Sequence, residues 1–251
     1  MICDAHVHMG YFARKGYNTP YYYSPRRILG VLNRCGVSEF IVSSTCSQID
    51  SITIDDIIRE AVEMKRIAGA RAHIFFWLSW HLYQEDNRMS WMDSGLFEGV
   101  KFHELETQWV TRKWKALNSI LKNINERGMP VMFHCGRSDG CYPCNLRRIA
   151  KRYPNIHFNF AHCTPMRDMK NVMQECDNIW TDSAYLEATD LSAVPHFDWQ
   201  NRLMFGTDIP VWQAHEHCRL TTKYRLCILN WRKVRNDIDA MSAFKSFLHK
   251  L

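Results

Sequence analysis

Asp4-Ala5-His6-Val7-His8 decides how the rest of this chain is read. The run is apolar and polar by turns, as a β-strand is, and alternate residues of a strand share a face. Asp4, His6 and His8 are therefore expected on one side, with Cys3, Ala5 and Val7 on the other. Two neutral imidazoles on one face of a rigid strand supply half of a tetrahedral metal site. A histidine pair of this kind also occurs on solvated strands, so its weight depends on what the rest of the chain brings to the same place.

Working outward, the sequence alternates between short apolar runs and amphipathic segments. Residues 9–23, with Tyr11, Phe12, Tyr17, Tyr21, Tyr22 and Tyr23, read as an aromatic loop covering something. Ser24-Pro25 is an N-cap followed by an N1 proline, and Ile28, Val31, Leu32 and Cys35 then recur at helical spacing until Gly36. Further strands are predicted at 40–44, 72–79, 99–103, 130–134, 156–161, 178–182 and 202–205. Helices are predicted at 53–68, 114–128, 143–153 and 166–176, and again from about His217 to Leu251. Eight strands, each followed by helical or irregular sequence, specify an α/β fold: a (β/α)8 TIM barrel, with residues 1–251 as a single domain. A doubly wound open sheet is the alternative, and no glycine-rich phosphate loop follows any strand to support it.

In such a barrel the C-terminal strand ends converge on one mouth. His6 and His8 close the first predicted strand, His134 the fifth and His162 the sixth, while Asp208 follows the eighth. Four histidines and an aspartate at the corresponding ends of different strands are the donor set of a metal-dependent enzyme.

With these motifs in order, DAHVHMG, GVKFH, PVMFHCG, FAHC and MFGTDIP, the chain resembles the amidohydrolase superfamily, and within it the amidohydrolase-2 group of metal-dependent hydrolases that also includes decarboxylases. The resemblance implies metal ligation by His6, His8, His134 and Asp208, with His162 as a further ligand or as the group that orients water. It also implies one divalent metal, zinc with manganese as the alternative. Binuclear members bridge two metals with a carboxylated lysine. Lys101 stands two residues before His103, within its strand, so both are expected to be pocket residues. A divalent metal with an open position brings bound water towards a pKa of about 7, and Asp208 could relay that proton as base and then acid. His162 and Asp208 are thus the catalytic candidates.

Trp77, Trp80, His81, Trp109, Arg137, Tyr185 and Trp212 are expected around the mouth. An aromatic wall with one arginine suits a small, partly apolar carboxylate. The expected reaction is hydrolysis of an ester, lactone or amide. The alternatives are non-oxidative decarboxylation, a TatD-like nuclease, for which Glu104 would have to be a ligand, and a metal-binding protein without turnover.

Of the 251 residues 46% are apolar and 23% charged, which excludes disordered and collagen-like classes. The net charge of +6 comes from scattered Lys and Arg, such as Arg147-Arg148 and Lys151-Arg152, and argues against nucleic acid as a partner. No run of 18 uncharged apolar residues and no leader-like start is visible, so a cytoplasmic protein without a membrane partner is expected, with a homodimer left open. Ten cysteines across this length read as reduced thiols, and Cys141-x-x-Cys144 has no second pair to complete a zinc site.

Overall fold

Apolar runs too short for helices, such as AHIFFW at 72–77, need both faces buried, and a parallel sheet covered by helices provides this. The computed structural model describes residues 2–12, 21–138, 140–186, 188–193, 200–211, 220–235 and 237–248. Among these, nine strands lie in the order β2-β1-β3-β4-β5-β6-β7-β8-β9. They are β1 (Ile2–Phe12), β2 (Tyr21–Tyr23), β3 (Val37–Ser44), β4 (Ala72–Trp77), β5 (Gly99–Phe102), β6 (Val131–His134), β7 (Phe158–Ala161), β8 (Ile179–Asp182) and β9 (Leu203–Met204). All neighbours pair in parallel except β2, which pairs antiparallel with β1.

The sheet closes on itself. The Ala5 N–H donates to the Phe205 carbonyl at 2.8 Å, the Asp208 N–H to the His6 carbonyl at 2.7 Å, and the His8 N–H to the Ile209 carbonyl at 2.7 Å. Leaving β2 aside, this is the eight-stranded barrel expected from the sequence.

The helices follow their local signals. The Ser24 side chain caps the helix Pro25–Arg34 by accepting from the Arg27 N–H. Thr53 and Asp56 form a capping box for Ile54–Ala68, a helix closed by Gly69 at φ 62°. The C-terminal helix, Asp237–Leu248, seals the barrel floor: Ala243, Phe244 and Phe247 pack into the interior against Cys3, Ala5, Ile41, Phe75, Met132, Ala161, Trp180 and Met204. Each phenylalanine so buried contributes about 2 kcal/mol.

Two expectations are corrected here. Residues 9–12 and 21–23 are not a loop, because β1 continues to Phe12 and pairs with β2 in the register Gly10–Tyr23, Tyr11–Tyr22, Phe12–Tyr21. Cross-strand aromatic contacts, Tyr11–Tyr22 at 4.7 Å and Phe12–Tyr23 at 5.7 Å between ring centroids, stabilise this ribbon. Tyr17 lies outside the described residues. Nor do Asp4, His6 and His8 share a face. The pairing of β1 with β3 breaks register between Asp4 and Val7, as a bulge does, so alternation is not carried through. Cys3 and Ala5 face the barrel interior, while the Asp4 carboxylate receives the Thr207 hydroxyl at 2.7 Å and the Tyr224 hydroxyl at 2.5 Å.

The interior face continues upward in register. Two residues beyond Ile41, Phe75, Met132 and Trp180 come Ser43, Trp77, His134 and Asp182. This is the layer at the mouth. The nine described cysteines are free thiols, Cys141 buried and Cys144 exposed. No helix among the described residues is long and apolar enough to cross a membrane.

Candidate metal centre

His6 and His8 reach the mouth just past the β1 irregularity, and their Nε2 atoms converge. Asp208 Oδ1 lies 3.3 Å from His6 Nε2 and 2.9 Å from His8 Nε2. Zinc–ligand bonds of about 2.0–2.2 Å at tetrahedral angles place ligand atoms about 3.3–3.6 Å apart, so the Asp208–His6 spacing already suits such an ion and the Asp208–His8 spacing needs to open by only about half an ångström. They are buried and form one of two groups, among the described residues, with metal-ligating potential. The other is His6, His162 and Asp182.

The remaining ring nitrogens are tied down. His6 Nδ1 lies 3.1 Å from Asp182 Oδ2, and His8 Nδ1 lies 2.9 Å from the Ser43 hydroxyl. A proton on each Nδ1 satisfies these contacts and leaves both Nε2 lone pairs facing the common point, as metal-ligating histidines require. Asp182 also accepts from the Asn159 amide at 2.9 Å and from the His162 and Ala184 backbone N–H groups at 3.1 Å. Burial alone would raise this carboxyl, but the charge and hydrogen bond of His6, with His162 and Asn159, hold it down to about 2. The sequence reading missed Asp182 and Ser43. The available signal was position: each stands at a strand end, two residues after an interior-facing apolar residue.

Lys101 is fully inside the site rather than on its rim. Its ammonium donates to His6 Nε2 at 2.7 Å and to His8 Nε2 at 3.0 Å, and lies 4.5 Å over the Trp77 ring. Burial pushes this amine down to about 8 against the pull of Asp208 and Asp182. Burial likewise pushes His8 down to about 3, reinforced by the Lys101 charge, and His162 to about 4. Both imidazoles are therefore neutral at pH 7, the form that binds metal. Burial would raise Asp208, yet its close contacts with His6 and His8 hold it well below the usual carboxylate range. It is an ionised acceptor.

His134 and His162 form a second layer. His162 Nε2 lies 3.0 Å from His134 Nδ1, and the His162 ring stands 4.9 Å from His6. Burial, with the charges of His103 and His162, pushes His134 well down as well. His103 stacks on His134 at 4.0 Å and on Trp77 at 5.4 Å. His134 is thus brought to the mouth but against His162, not into the His6–His8–Asp208 group. His162 at φ 74° and Asp208 at φ 54° hold left-handed backbone, which costs of order 1–3 kcal/mol per non-glycine residue and is found where a side chain must be aimed.

The expected wall divides. Tyr185 is partly exposed with its ring 5.1 Å from His162, and Arg137 is exposed on the loop after β6. Trp80 and Trp109 belong instead to a packing cluster with Tyr83 and Phe102, in which Trp109 is fully buried and donates its indole N–H to the Leu78 carbonyl. His81 bonds to Ser79 and to the Ile52 carbonyl, and Trp212 lies outside the described residues. Glu104 is not a ligand. Its carboxylate accepts the Val110 N–H at 2.6 Å and the Thr111 N–H at 3.0 Å, holding the loop after β5.

The amidohydrolase family model, Amidohydro_2, matches residues 3–221. Similar solved structures include the apo form of a Metarhizium anisopliae IDCase, at TM-score 0.67 and 10% identity over 98% of this chain and 95% of that one. A putative 2-pyrone-4,6-dicarboxylic acid hydrolase from Pseudomonas putida aligns at TM-score 0.66 and 12% identity, covering 98% and 97%. The 5-carboxyvanillate decarboxylase of Sphingomonas paucimobilis aligns at TM-score 0.62 and 12% identity, covering 96% of each. At these identities the likeness is one of fold. No curated protein matches the chain significantly in sequence.

Proposed function

The chain belongs to the amidohydrolase family, and from that premise we propose that it is a hydrolase of a small organic molecule, cleaving an ester, lactone or amide bond with one divalent metal, zinc or manganese, held by His6, His8 and Asp208. The observation that carries this reading is the convergence of His6 Nε2, His8 Nε2 and Asp208 Oδ1 at 2.9–3.3 Å beneath the mouth. A divalent cation held there is a Lewis acid that polarises a carbonyl and makes water more acidic.

The protein's own groups supply the rest. Asp208, ionised and beside the histidine nitrogens, accepts the proton of the attacking water and returns it to the leaving group. Asp182 and Ser43 fix the two ligand imidazoles. The His134–His162 pair shares one hydrogen bond, and His162 Nδ1, buried without a partner, remains for the water or the leaving group. Lys101, as an unmodified amine, receives an anionic group of the substrate, with Arg137 and Tyr185 at the rim.

Loss of carbon dioxide from an aryl carboxylate is the rival reading, favoured by the likeness to a decarboxylase fold. A nuclease reading is disfavoured because the Glu104 carboxylate is spent on backbone N–H groups. The test is an assay of zinc- and manganese-loaded protein against small lactones, carboxylate-bearing esters and amides, aryl carboxylates and single-stranded DNA, with and without chelator. Chelator-sensitive hydrolysis of a lactone, ester or amide is expected. Carbon dioxide release without hydrolysis, or activity indifferent to chelation, would overturn it.

A further inference from the structure

Trp77 is the last residue of β4 and two positions above interior Phe75, so it faces the mouth. Its ring touches three members of the site: it lies 5.2 Å from the His8 ring, stacks on His103 at 5.4 Å, and has the Lys101 ammonium 4.5 Å over its face. The side chain is 4% exposed, and its indole N–H has no hydrogen-bond partner. A buried donor left unpaired is unfavourable unless a ligand supplies the acceptor. An unpaired N–H beside the Lys101 amine, itself a hydrogen-bond donor, is suited to an anionic oxygen. Trp91 and Trp180 also have unpaired indoles, but Trp91 packs against Phe76 and Phe97, and Trp180 against His157 and Phe247, away from the ligand nitrogens.

Building on the metal-dependent reading above, we infer that the Trp77 indole N–H, together with Lys101, binds a carboxylate of the substrate beside the reacting bond. The substrate class is then a small carboxylic acid that carries its hydrolysable group within a few bonds of the carboxylate, since the indole lies against the same His8 that faces Asp208. His103, stacked between Trp77 and His134, holds the indole plane. A hydrogen bond to a charged group contributes about 1.5–3 kcal/mol, or roughly ten- to a hundredfold in affinity.

Trp77→Phe removes the N–H and keeps an aromatic face for Lys101 and His103. Zinc-loaded wild type and variant are titrated calorimetrically with benzoate and with nitrobenzene, its uncharged isostere, with metal content measured on the same samples. Benzoate affinity is expected to fall at least tenfold in the variant, nitrobenzene affinity to change less than twofold, and metal content to stay unchanged. Equal benzoate affinity in both proteins, or no benzoate binding by the wild type, overturns the inference, and retained metal with retained ester or lactone hydrolysis in either case leaves the hydrolase reading standing. Should the variant not fold, nitrogen-15-labelled wild type decides: benzoate must move an indole N–H resonance downfield and nitrobenzene must not, and nine unmoved indole signals overturn the inference.

Discussion

Replacing Lys101 by methionine is expected to tighten metal binding at neutral pH. The Lys101 ammonium lies 2.7 and 3.0 Å from the two Nε2 atoms that would coordinate the ion. A divalent ion about 4 Å from an ammonium is opposed by about 8 kcal/mol at an effective dielectric of 20, so the metal binds the neutral amine and expels its proton. With the amine pushed to about 8, that deprotonation costs about 1.4 kcal/mol at pH 7, roughly tenfold in affinity. The sign follows directly. Wild-type affinity should rise about tenfold per unit as pH increases towards 8 and then level off, whereas Lys101→Met should lack this slope. His8 and His162, pushed to about 3 and 4, are already neutral in this window and add nothing to it. Competition against a chromophoric chelator between pH 6.5 and 9 measures both curves. The variant should bind zinc about tenfold more tightly at pH 7 and within about twofold at pH 9, while KM rises or kcat falls with one metal still bound. Weaker binding by the variant, two metals in the wild type with one lost on substitution, or activity restored by a short carboxylic acid would instead make Lys101 a carboxylated bridge and refute the argument.

Asp208→Asn should lower turnover about 100-fold or more while metal content, read by atomic absorption, falls less, because the amide keeps an oxygen donor and loses the proton acceptor. Asp182→Asn removes the anionic acceptor of His6 Nδ1–H, and metal affinity should fall about 10–100-fold with the far-ultraviolet circular dichroism unchanged; an unaltered affinity would deny it any orienting role. His134→Ala should cost more in rate than in metal because His134 bonds to His162; equal loss of both would place it in the coordination sphere. Asp4 is raised to about 6 by burial, so its contribution to stability is present at low pH and lost as pH rises through 6; Asp4→Asn should melt above wild type at pH 7, and the gap should close near pH 4.

What the chain shows by itself is whatever repeats locally. Strand ends, caps such as Ser24 and Thr53, and the positions of His6, His8, His134, His162 and Asp208 follow from alternation and spacing, because β-strands of a barrel deliver their last residues to one mouth. The matter decided only in three dimensions is which of those residues meet. The break in register between Asp4 and Val7 turns Asp4 towards Tyr224, 220 positions away in sequence, and no periodicity announces a bulge. Asp182 orients His6 across 176 positions, and Lys101 enters the donor cluster from 93 positions beyond His8. Trp77 and Trp109 look alike as aromatic residues near strand ends; folding buries the second in a satisfied cluster and leaves the first with a free N–H beside the ligands. Local sequence sets where each strand stops, but barrel closure and the packing of one side chain against another set which atoms face each other. Those contacts are long-range and depend on every intervening element being in place.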